Sequence, residues 1–130
     1  MKATYPITMT QGDKYIVVYI PDFDINTQGE NEADAMEMAR DAIGLIGIDM
    51  EDENEKLPVP TLLSAVKREK KTDIITLVDV DFAEYRRKND MRSVKKNCTI
   101  PSWLSYEAEK AGINFSATLQ AALKQELHLV

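Results

Sequence analysis

The chain has 130 residues, 44% of them hydrophobic, and its 16 Lys and Arg against 22 Asp and Glu give a net charge of −6. That length holds one ordinary domain or two small ones, with enough apolar residues for a core. The single cysteine, Cys98, excludes a disulfide framework within the chain and fits a reducing cytoplasm, and no window nears the roughly 18 uninterrupted apolar residues of a membrane span.

The first twenty residues alternate apolar and polar side chains instead of running from a basic end into a long apolar stretch, so they read as structure and not as a signal peptide. Tyr5 to Met9 and Tyr15 to Ile20 are β-rich runs, and Gly12 in the polar stretch between them marks a hairpin turn. Both faces of the second run are apolar, which predicts a strand covered on both sides. Pro21 to Asp24 follows as a loop, and Ile25 to Gln28 is a third strand ending at Gly29.

Asn31 is suited to cap a helix, with Glu32 and Asp34 near the positive end of its dipole. Met36, Ala39, Ile43, Ile46 and Met50 recur at spacings of three and four and predict one apolar helical stripe. The acidic run Glu51 to Glu55 has no metal-ligand spacing and reads as a solvated helix end. "LPVP" from Leu57 to Pro60 is then an extended turn, since each Pro lacks a donor and biases its predecessor away from helix. Thr61 to Lys67 suits a short helical turn, Ile74 to Val80 a buried strand, and Phe82 to Lys88 one or two further turns of helix. Residues 1–88 thus form one domain in the order β-β-β-α-β, and the polar residues 89–93 form a linker.

From Val94 the pattern has period two. Lys95, Asn97 and Thr99 share one face, while Val94, Cys98 and Ile100 share the other with Lys96, and Pro101 ends the strand. Leu104, Ala108 and Ala111 mark a helix that stops at Gly112, a natural C-terminal glycine. Asn114 or Ser116 caps a second helix with Leu119, Ala122, Leu123 and Leu127 on its apolar face. Fewer than forty residues in this shape cannot bury a self-sufficient core, and a lone strand has two free edges. Pairing with a second copy removes both difficulties. The resulting antiparallel ribbon fits the major groove of DNA, where Lys donates to guanine, Asn pairs with adenine and Thr offers a hydroxyl and a methyl. The second helix then aims its N-terminal amides at a phosphate, with Asn114 and Ser116 beside it.

Charge is divided along the chain. Residues 1–60 hold 4 basic against 13 acidic residues, a balance of −9, whereas residues 93–130 hold 4 against 3. Two surfaces with different partners are implied, because a local potential acts within about a Debye length whatever the distant total.

"KKNCTIP", followed by two short helices, resembles the ribbon-helix-helix DNA-binding fold, with Lys96 a departure at a position usually apolar there. Over nearly the whole chain, "YIVVYIPDFDINTQGENEADAMEMARDAIGL", "LPVP", "TLVDVDFAEYRRK" and "IPSWLSYEAEKAGINFSATLQAAL" resemble, in that order, HicB-type antitoxins. The resemblance implies an α+β chain with an N-terminal partial ribonuclease H-like domain at 1–88 that blocks a HicA-type mRNA-cleaving toxin. It also implies a C-terminal ribbon-helix-helix domain at 94–130 that forms a homodimer, binds operator double-stranded DNA and represses the chain's own operon. Asp22, Phe23, Asp24 and Glu30 are the candidate toxin contacts, and Lys95, Asn97, Thr99, Asn114 and Ser116 the candidate DNA contacts. The alternative is a stand-alone ribbon-helix-helix regulator whose front domain senses a ligand.

Catalysis is not expected. Asp22, Asp24, Asp79 and Asp81 were the natural trial set for a two-metal nuclease, but Asp79 and Asp81 lie at a strand end, and neither a His nor a third carboxylate joins them in a recognisable spacing. His128 lies at the chain end and Cys98 on the inward face of the expected ribbon. No cofactor or metal is implied.

Overall fold

The computed structural model describes residues 1–129, which divide into two compact units, Met1–Met91 and a second beginning at Arg92. In the first unit the strands β1 (Lys2–Gln11), β2 (Ile16–Ile20) and β3 (Ile25–Gly29) precede the long helix α1 (Glu32–Asp52). A single 3₁₀ turn at Leu63–Ala65, the strand β4 (Ile74–Asp81) and the short helix α2 (Phe82–Lys88) complete it.

The four strands form one antiparallel sheet in the order β3-β2-β1-β4. β1 is central although it is first in the chain, and its pairing with β4 runs from Lys2 opposite Asp81 to Met9 opposite Ile74. Pro6, which has no N–H for a ladder, lies in this central strand at a point where only β4 flanks it, because the pairing with β2 starts at Thr8.

One face of the sheet carries the core. Tyr5, Ile7 and Met9 of β1, Ile16, Val18 and Ile20 of β2, and Val78 and Val80 of β4 are buried with Ala35, Ala39 and Ile43 of α1 and Phe82 and Tyr85 of α2. Asn31 caps α1 by accepting from the Asp34 N–H, as its sequence position predicts. The helix packs through Ala35, Ala39, Ile43, Gly44 and Gly47, so the expected stripe is displaced: Met36, Ile46 and Met50 are only half-buried. Small residues win this seam because α2 crosses it closely. A Cβ added at Gly44 would lie 2.6 Å from the Tyr85 ring, and one at Gly47 would lie 2.1 Å from Phe82 Cε1. The Tyr85 hydroxyl donates to Asp41 at 2.6 Å, and burial followed by that carboxylate raises its pKa far above the usual tyrosine value.

The other face of the sheet is not covered by a helix, which corrects two expectations. In β2 the outward residues Val17 and Tyr19 are about 40% exposed, as is Tyr15 just before the strand. In β4 only Val78 and Val80 are buried, whereas Ile74 and Leu77 are exposed. Apolar alternation on both faces of a strand does not by itself bring a second layer.

The second unit contains α3 (Ser102–Lys110) and α4 (Phe115–Glu126). α3 closes at Gly112, whose φ of +70° suits glycine, with the Ile113 N–H donating to the Ala108 carbonyl at 3.0 Å. Asn114 caps α4 by accepting from the Ala117 N–H at 3.0 Å, and Ser116 lies within the first turn, so of the two expected caps only Asn114 performs that task. The expected strand from Val94 to Ile100 is not formed within one chain. Residues 90–101 carry no helix or strand, because an isolated extended segment has no ladder to join. Neither helix buries a residue: Val94, Trp103, Tyr106 and Leu127 are each more than 60% exposed, with Ile113, Phe115, Leu119 and Leu123 exposed as well.

Candidate functional site

Three surfaces carry the chemistry singled out in the sequence. The first is the loop between β2 and β3, which turns through Asp24 at a positive φ of 49°. Asp22 accepts from both the N–H (3.1 Å) and the hydroxyl (2.6 Å) of Thr61, tying the loop to the segment that leaves "LPVP". Tyr5 strengthens the joint, donating to the Pro58 carbonyl at 2.9 Å while its ring meets Phe23 edge-on at 4.9 Å. Burial, then the Asp22 charge, raises the Tyr5 pKa above the usual value, keeping its hydroxyl a donor. Asp24 accepts from the Tyr19 hydroxyl at 2.9 Å. Of the four candidate toxin contacts, Asp22 and Phe23 are thus half-buried and engaged in holding the loop, whereas Asp24 and Glu30 are exposed. The contact between positions 22 and 61 joins residues distant in sequence and left no local signal.

The second surface is the acidic exterior of the first unit. Arg40 pairs with Glu37 at 2.9 Å and Asp79 at 3.1 Å, and Arg86 with Asp52 at 2.9 Å and Glu51 at 3.2 Å. The hydrogen bonds that Arg86 donates to Asp52 and Glu51 raise its pKa. Glu30, Glu32, Asp49, Glu53 and Glu55 form no ion pair among the described residues, so the negative potential of this unit is largely uncompensated. The carboxylates weighed as metal ligands have other duties: Asp79 holds Arg40, and Asp81 caps α2 by accepting from the Ala83 and Glu84 N–H groups. Among the described residues no group of three or more His, Cys, Asp or Glu is placed to hold a metal ion.

The third surface belongs to the second unit. Lys95, Asn97 and Thr99 are exposed in the stretch before α3, as are Lys96, Cys98 and Ile100, while Asn114 opens α4 with Ser116 in its first turn. α3, α4 and the turn between them leave Trp103, Leu104, Tyr106, Ile113, Phe115, Leu119 and Leu123 exposed.

The sequence profile described as HicB-like antitoxin of bacterial toxin-antitoxin system matches residues 5–122. The chain belongs to this HicB-like antitoxin family. A chain of a toxin-antitoxin complex from Streptococcus pneumoniae is similar to it at 26% identity and a TM-score of 0.62, over 97% of this chain and 99% of that one. The antitoxin HicB of Burkholderia pseudomallei shares 21% identity and a TM-score of 0.55 over 96% of each chain. A chain of a HicA3 and HicB3 toxin-antitoxin complex matches 61% of this HicB-like chain and 99% of its own, at 21% identity and a TM-score of 0.51. No curated protein sequence matches. The mixed α+β architecture is therefore that of HicB structures. No helix among the described residues is long and apolar enough to cross a membrane.

Proposed function

We propose that this antitoxin neutralises a HicA-type, mRNA-cleaving toxin with its first unit and represses its own operon with its second, as a homodimer. The observation that carries the second half is that α3 and α4 bury no residue while their apolar side chains stand exposed. Two copies joined through residues 94–100 as an antiparallel ribbon give these side chains a shared core and remove both free strand edges. On that arrangement Lys95, Asn97 and Thr99 face base edges in the major groove, with Asn114 and Ser116 at a phosphate. The Lys96 stem lies along the start of the ribbon with its ammonium in water. The linker at 89–93 lets each unit meet its own partner.

For the first half, the support is family membership together with charge. A ribonuclease presents a basic surface to RNA, and the 13 acidic residues within the first 60 suit steering onto it and competing with the RNA backbone. Asp24, exposed in the β2–β3 turn, and Glu30, exposed just before α1, are the leading contacts, with Asp22 and Phe23 holding the β2–β3 loop in shape. On this reading the first unit, with its β-β-β-α-β order, is a partial ribonuclease H-like domain that serves as the inhibitor.

Co-expression with a HicA-type toxin from the neighbouring reading frame, where one is encoded, followed by pull-down and an RNA-cleavage assay, tests the first half. A complex that fails to form, or cleavage that continues within it, refutes the inhibitor reading. For the second half, operator binding is compared with a scrambled duplex at one salt concentration, since affinity without salt control is uninterpretable. Asn97→Ala is expected to weaken operator binding by about 5- to 150-fold, the equivalent of one bidentate base contact, with the dimer intact by mass. Equal wild-type affinity for the two duplexes removes the repressor.

A further inference from the structure

The segment from Thr61 to Asp73 is anchored at both ends and stands off the sheet between them. At one end Thr61 is held by Asp22. At the other, Asp73 accepts from the Lys70 N–H at 3.0 Å and from the Thr10 hydroxyl of β1 at 2.9 Å. Between these anchors lies a groove of about 940 Å³, with the helix-free face of the sheet as its floor and the segment as its wall. That volume lies in the range of small-ligand sites.

The lining is chemically mixed in a particular way. Tyr19 and Val17 give the floor exposed apolar surface, Asn26 adds an exposed amide, and the largely buried Thr8 borders them. Lys67 and Arg68 stand on the wall, exposed, and neither forms an ion pair among the described residues. Glu69 and Asp73 also border the groove, but the Asp73 carboxylate is occupied by Thr10 and Lys70. A free guanidinium and ammonium facing an aromatic ring and an amide can hold a phosphate, stack a base and meet its polar edge. A purely acidic peptide would use the cations and leave the ring idle.

We infer that this groove binds a ribonucleotide phosphate: Lys67 and Arg68 hold the phosphate, Tyr19 stacks the base, and Thr8 and Asn26 contact its polar groups. The groove adjoins the loop between β2 and β3, since Tyr19 donates to Asp24 and Thr61 to Asp22, and its occupant is either a free nucleotide or a residue of single-stranded RNA. Salt screens the attraction between the two cations and the phosphate, so binding is strongest at low ionic strength.

The test uses the full-length protein, ¹⁵N-labelled, titrated at low salt with uridine 5′-monophosphate, a six-residue oligouridylate and hexaglutamate. Oligouridylate is expected to shift the amides of Thr8, Tyr19, Asn26 and Lys67 to Lys70. Lys67→Gln with Arg68→Gln, or Tyr19→Leu alone, is expected to weaken binding by at least about fivefold, the low end of one base stack. Tyr19→Phe retains binding because it retains the ring, and Asn97→Ala leaves it unchanged. The same shifts with the monophosphate identify a free nucleotide as sufficient, and shifts with the oligomer alone identify a strand; either supports the site. Absence of shifts at millimolar probe, shifts confined to residues 94–101, hexaglutamate binding equal to oligouridylate, or a neutral Tyr19→Leu overturns it.

Discussion

Replacing Gly47 by Ala is expected to destabilise the first unit, although Ala is by about 1 kcal/mol the better helix former. The added Cβ would sit 2.1 Å from Phe82 Cε1 and 2.7 Å from Cδ1. Ordinary contacts begin near 3.4 Å, so the ring or α1 must give by more than 1 Å. Phe82 is 1% exposed and packed between the sheet and α1, so it has no route into solvent. Overpacking of this kind costs about 1–3 kcal/mol, with a larger cost where the neighbour is an immobile ring. Taking the upper part of that range, about 2–3 kcal/mol, and subtracting the helix gain leaves a net loss of about 1–2 kcal/mol, or a fall in Tm of about 4–16 °C for a unit of this size. Urea and thermal unfolding followed by circular dichroism measure it, at fixed protein concentration because association adds to apparent stability. Leu45→Ala, at an exposed position of the same helix, supplies the baseline for a neutral surface change. A Gly47→Ala protein as stable as wild type, or one that Phe82→Leu fails to rescue in part, refutes the close-approach explanation.

Gly112→Ala presents the opposite case: nothing lies within 4 Å of its Cβ position, yet its φ of +70° disfavours any L side chain. A loss of about 1 kcal/mol from backbone strain alone is expected, and Gly112→Asn should recover part of it on the same unfolding curves. Asn114→Ala removes the acceptor for the Ala117 N–H and is expected to cost about 1 kcal/mol, seen as increased amide exchange in the first turn of α4. The Asp73 carboxyl is held below its ordinary value, first by the Lys70 N–H and also by the Thr10 hydroxyl, against burial that raises it. Its contribution is therefore present above the unfolded carboxylate value and lost as pH falls through the lower folded value. Acid titration of stability below about pH 4 should be shallower in Asp73→Asn than in wild type.

Features with a local chemical signature were legible in the sequence. Asn31 before an acidic first turn, Gly112 after a helical stripe, and Pro58 and Pro60 between elements each act on their nearest neighbours, and the elements end where these residues require. The order β-β-β-α-β and the mixed α+β class follow from such signals. The seam between α1 and α2 was hidden because Gly44 and Gly47 register as gaps in a hydrophobic pattern, while their function is to leave room for Tyr85 and Phe82. The exposed face of β2 carries no signal of its exposure, because Val17 and Tyr19 are apolar whether or not a second layer covers them. At the candidate sites, the residue types were visible but their commitments were not: nothing near Asp22 announces Thr61, and nothing near Thr10 announces Asp73. In the second unit the period-two stretch 94–100 is clear in sequence, but period two alone does not make a strand, and none forms there.

The placement of β1 at the centre of the sheet has a bearing on synthesis. Its longest partnership is with β4, the last strand to leave the ribosome, so Tyr5, Ile7 and their neighbours wait for more than half the chain before that edge is closed. At about 5–20 residues per second this delay lasts several seconds, during which an apolar edge strand is open to proteases and to other chains. A protein that ends at Asp73 should be degraded far faster than one that ends at Met91, which limited proteolysis can measure. Each newly made antitoxin molecule thus passes through a vulnerable interval set by topology, and its supply is governed by completion of the chain as well as by initiation.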